Sequence, residues 1–93
     1  MNKKQLYVVR NKIDKLDQIL LNIIKKRTVL VNKVIKIKKF KKQIVDNKRI
    51  SEILKSIRTQ SLKKKIDPTI TKKIWLTMIK SYIEYEKKNF NKK

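Results

Sequence analysis

Apolar residues recur every three to four positions from Leu6 to Ile37. One row of a seven-residue repeat reads Leu6, Ile13, Leu20, Arg27, Val34, and the other reads Val9, Leu16, Ile23, Leu30, Ile37. This period, sustained without Pro or Gly, predicts a single long helix from about residue 4 to about residue 41, roughly 50 Å or more at about 1.5 Å per residue. Such a helix projects from a compact monomer of 93 residues, and a seam of this kind normally pairs with a second chain. Gln43 to Asn47 breaks the pattern and reads as a connection. Asp46 is a plausible N-cap for a second helix over about residues 47–64, with Ile50, Ile53, Leu54 and Ile57 on one face. That pattern fades through Ser61 to Lys65. Asp67-Pro68 then announces a third helix over about residues 68–88, whose apolar face is Ile70, Ile74, Trp75, Met78, Ile79, Tyr82 and Ile83. With no strand signal and no repeat, residues 1–93 read as one all-α domain of three helices.

Arg27 interrupts the long seam. A guanidinium there is costly unless something anionic meets it, so the position asks for a negatively charged partner. Arg10, Asp17 and Lys38 occupy an adjacent row of the same repeat. Arg27 and Lys38 are 11 residues apart, about 20° around a helix and roughly 16 Å along it, so two long side chains can converge on a small ligand. Arg10 precedes Arg27 by 17 residues, about 25 Å, and cannot reach that ligand from the same straight helix. It is either a surface charge or the contribution of one chain to the pocket of another, as an antiparallel pairing of the long helices would allow.

Composition narrows the chemistry. With no Cys, disulfides and thiolate metal sites are excluded, and with no His either, the usual zinc and copper sites and histidine acid–base catalysis fall away. No cofactor or metal is expected. No apolar run is long enough for a membrane span or of the signal-peptide kind, so no membrane partner and a cytoplasmic location are expected. The net charge of +21, from 28 Lys+Arg against 7 Asp+Glu, suggests a small basic helical protein that binds nucleic acid. The lysines are scattered over nearly every segment, and most aromatics fall on apolar helix faces, which reads as a charged exterior with weak, salt-sensitive, non-specific affinity for nucleic acid.

The ordered set Leu6, Arg10, Ile13, Asp14, Asp17, Leu20, Arg27, Lys38 and Asp46-x-x-Arg49, followed by the Asp67-Pro68 start of a third helix, resembles the all-helical chorismate mutases over about residues 5 to 88. The resemblance implies an intertwined homodimer with two equivalent pockets, each completed by Arg10 across the interface. It implies the cofactor-free rearrangement of the dianion chorismate to prephenate in aromatic amino-acid biosynthesis. By the same resemblance, Arg10 and Arg27 bind the carboxylates. Lys38 reaches a carboxylate and the ether oxygen, Asp46 accepts from the ring hydroxyl, and Arg49 supports this network. Three positions depart from the family pattern. Ile50 stands where the family usually has Glu, and Glu52 is a residue that could substitute. Tyr82 and Glu86 hold the places of a Ser and a Gln. Tyr82 either packs or hydrogen-bonds a carboxylate. Glu86 matters most, because a carboxyl donates to an ether oxygen only when protonated, whereas a Gln amide donates at any pH. These departures also admit a folded but weakly active, degenerate member of the family.

Overall fold

The computed structural model describes residues 2–91. Three α-helices follow in order, α1 (Lys3–Ile37), α2 (Asn47–Lys63) and α3 (Pro68–Asn89), with a short 3-10 turn at Lys41–Gln43. Among the described residues there is no strand, and no helix is long and apolar enough to cross a membrane. The chain divides after Lys33 into two compact units.

The first unit is helical from Lys3 onward. A reciprocal capping box starts it: Gln5 N donates to Asn2 Oδ1 at 2.8 Å, and Asn2 N donates to Gln5 Oε1 at 3.3 Å. Without Pro or Gly, nothing in the sequence interrupts the ladder that follows. A lone amphipathic helix cannot cover its own stripe. Ile13, Leu16, Leu20, Ile23 and Leu30 are therefore more than half exposed, at 51, 63, 53, 54 and 59%.

The second unit begins within the last turn of α1, which ends at Ile37, short of the expected 41. The cause is local. Gln43 Oε1 accepts from the backbone N–H groups of Lys39 and Phe40, at 2.8 and 2.9 Å, and these are the donors a continuing helix would have used. Lys38 thus becomes the first residue of the connector, although its N–H still donates to Val34 O at 3.0 Å. Ile44, 3% exposed, anchors the connector and joins Ile35 and Ile79 as the buried apolar core.

Helices α2 and α3 pack as a hairpin. Asp46 caps α2 by accepting from Arg49 N at 3.0 Å, and Asp67 caps α3 by accepting from Thr69 N at 2.9 Å, with Pro68 in the first turn. The apolar residues Ile50, Ile53, Leu54 and Ile57 of α2 are half-buried, as are Trp75, Met78, Tyr82 and Ile83 of α3. Ile70 and Ile74 were expected on that face of α3 but stay exposed, because the buried face centres on Ile79, and Ile74 lies well around the helix from it. Buried Ser61 shares a 2.7 Å hydrogen bond with Thr71 Oγ1 and donates to Ile57 O at 2.6 Å, so its hydroxyl is satisfied inside the hairpin.

The hairpin turn is a Schellman motif without glycine. Ile66 N donates to Ser61 O and Lys65 N to Leu62 O, at 2.9 and 3.2 Å, which places Lys65 at φ 59° in the left-handed region. A residue with a Cβ resists that conformation by roughly 1–2 kcal/mol. Lys65→Gly is therefore expected to raise stability by about 0.5–1 kcal/mol in urea unfolding at fixed protein concentration. A lowered midpoint would contradict this account of the turn.

Candidate functional site

The last turn of α3 is a poor place for a carboxylate. The carbonyl end of a helix carries partial negative charge, and Glu86 sits one turn from the end of α3 while being only 9% exposed. A partner is needed, and the connector supplies it. Lys38 Nζ donates to Glu86 Oε1 at 3.2 Å, bringing together two residues 48 positions apart. Their side chains are 20% and 11% exposed, so the pair is screened less than a surface ion pair. Lys87 and Lys88 add positive charge to the same helix end.

Tyr82 lies one turn before Glu86 on the inward face of α3 and is half-buried. Its ring meets Tyr85 edge-on, with centroids 6.2 Å apart and planes at 79°. At the other end of the connector, the Asp46 carboxylate caps α2 through Arg49 N. The Asp46 and Arg49 side chains are exposed, as is Glu52, while Ile50 is half-buried. The second unit therefore carries five of the expected site residues, Lys38, Asp46, Arg49, Tyr82 and Glu86, and joins Lys38 to Glu86 and Asp46 to the backbone of Arg49.

Arg10 and Arg27 belong to the first unit. Arg10 is exposed, whereas Arg27 is half-buried, with its Nη1 shielded from solvent. Both lie in the regular helix of that unit, so their 17-residue separation corresponds to about 25 Å and they cannot grip one small molecule from the same chain.

A separate groove of about 470 Å³ runs between α2 and α3, with Ile50, Leu54, Ile57 and Pro68 among its lining residues. Lys38 and Glu86 do not line it. Among the described residues, no three acidic side chains gather in a way that could hold a metal ion. Two structural devices escaped the sequence reading, the Gln43 side-chain cap that ends α1 and the buried Ser61–Thr71 pair. Ser61 continues the apolar row of Ile53 and Ile57 at a four-residue step, which was the available sign that its hydroxyl would be buried.

The described residues thus form a helical domain with a long first helix and a part-buried ammonium–carboxyl pair. The sequence model of the family described as chorismate mutase type II matches residues 9–87, and the chain belongs to that family. None of the curated proteins and none of the solved structures compared with the chain matches it. The matched span includes all seven expected site residues, Arg10, Arg27, Lys38, Asp46, Arg49, Tyr82 and Glu86.

Removing one partner from the pair leaves the other part-buried without its counter-charge. Lys38→Ala is expected to cost about 1–2 kcal/mol in urea unfolding, against no measurable loss for Lys80→Ala on the exposed face of α3. Glu86→Gln, which keeps an acceptor for Lys38, should lose less than Lys38→Ala. Equal effects at Lys38 and Lys80 would mean that the pair contributes nothing to folding.

Proposed function

We propose that the protein catalyses the rearrangement of chorismate to prephenate in a pocket containing Arg27, Lys38, Asp46, Arg49, Tyr82 and Glu86, completed by Arg10 of a second copy. The observation that carries this reading is the Lys38–Glu86 pair. It joins the connector to α3 and aligns the two groups that the family resemblance directs at the breaking ether bond. The homodimer reading rests on the apolar stripe of α1. Its uncovered Leu and Ile side chains are each worth about 1.5–3 kcal/mol when fully buried, and a second α1 offers the complementary stripe. The separation of Arg10 from Arg27 gives the same reading a functional reason.

The reaction is unimolecular and needs neither a nucleophile nor a redox group. Catalysis then consists of holding the dianion in its compact reactive conformer and stabilising the negative charge that grows on the ether oxygen. Arg27 and the second copy's Arg10 grip the two carboxylates, because a planar guanidinium fork matches a carboxylate better than an ammonium does. Lys38 has three donor hydrogens, enough to keep its bond to Glu86 while it also donates to a substrate carboxylate and the ether oxygen. Asp46 accepts from the ring hydroxyl through a carboxylate that also caps α2. Arg49 supports the carboxylate network, and the Tyr82 hydroxyl donates to a carboxylate. The Glu86 carboxylate holds Lys38 in place through their ion pair.

The test is the disappearance of chorismate by ultraviolet absorbance, with wild type beside Arg27→Ala and Lys38→Ala. One preorganised donor to a developing oxyanion is worth about 10²–10³ in kcat, so both variants should fall by at least that much. A folded wild-type protein without turnover would refute the reading.

A further inference from the structure

The connector between α1 and α2 carries more charge than its structural work requires. From Lys38 to Asp46 it holds four lysines and one aspartate, a formal charge of +3. The aspartate is engaged in capping α2 and Lys38 in pairing with Glu86. Lys39, Lys41 and Lys42 remain on the exposed surface beside that pair in sequence. The segment is also held in place. Gln43 accepts from two of its backbone N–H groups, Ile44 is buried, and Lys42 Nζ sits 5.7 Å from the centroid of the Phe40 ring. The three ammonium groups are thus tied to a fixed piece of backbone next to the candidate site.

We propose that Lys39, Lys41 and Lys42 form a cationic rim that draws the dianionic substrate to the Lys38–Glu86 site and raises its capture rate without touching it in the transition state. The proposal rests on the chorismate mutase reading. Its physical basis is the attraction between a doubly charged ligand and fixed charges along its approach, which raises the encounter rate and declines steeply with ionic strength. The Debye length is about 10 Å at 0.1 M salt, so at ordinary salt only charges near the site contribute. This gives the rim a matched control within the same unit. Lys63, Lys64 and Lys65 also cluster at a helix C-terminus and are exposed, but they lie at the far end of α2, about 25 Å from its N-terminus.

The experiment compares kcat and kcat/KM for chorismate between the wild type and two triple variants, over a range of salt concentrations. The rim variant is Lys39→Gln, Lys41→Gln, Lys42→Gln, and the control is Lys63→Gln, Lys64→Gln, Lys65→Gln. The rim variant should lose about three- to tenfold in kcat/KM at ~10 mM salt, with kcat unchanged, and return to within about twofold of wild type at ~0.5 M. At ~0.1 M the control should lose much less than the rim variant. Replacing the rim lysines by Arg should keep the wild-type value. A loss that persists at high salt would overturn the rim and assign these lysines to folding, and an equal loss in the control would overturn it in favour of the net charge of the whole chain. Turnover with a salt-independent kcat/KM would overturn the rim alone. Absence of wild-type turnover in any buffer would overturn the mutase reading and the rim together.

Discussion

A lysine ammonium and a glutamate carboxyl, 3.2 Å apart and mostly shielded from water, set the terms for the rest of the candidate site. The carboxyl sits at the end of α3 where the helix dipole disfavours it, so the lysine is needed there before any substrate arrives. That need ties the connector to α3.

Much of this was legible in the sequence. The seven-residue stripe announced a long first helix, and Asp46 and Asp67-Pro68 marked the starts of the other two. Lys38 and Glu86 stand out in the sequence because their places in the chain resemble those of a family whose sequence model matches residues 9–87. What was not legible depended on side chains reaching across sequence. Nothing in helix periodicity foretells that Gln43 will turn back and take the N–H groups of Lys39 and Phe40, so the first helix was expected to run on to 41. Ile70 and Ile74 fit an apolar pattern by type, yet the packing of α2 against α3 selects the face around Ile79 and leaves them outside. Patterns show that a face is apolar; its exact centre depends on the partner it meets.

The composition also takes on a different weight. A net charge of +21 first suggests nucleic acid, but Trp75, Tyr82 and Tyr85 are half-buried on α3, with Tyr82 and Tyr85 packed edge-on, and the exposed Tyr7 and Phe40 stand far apart in sequence. A strongly cationic exterior is equally suited to a small dianion. For such a ligand the useful charges are the few near the site, and the remainder repel other copies of the chain.

The proposed pocket is shared, with Arg27 from one chain and Arg10 from another. Mixing two inactive variants tests it directly. Arg10→Ala and Arg27→Ala homodimers each lack one guanidinium in both pockets. After subunit exchange at equal concentrations, half of the dimers should be mixed, and each mixed dimer holds one pocket with both arginines, so activity should rise to about a quarter of wild type. Activity that stays at the level of the separate variants after exchange would contradict a pocket built from two chains.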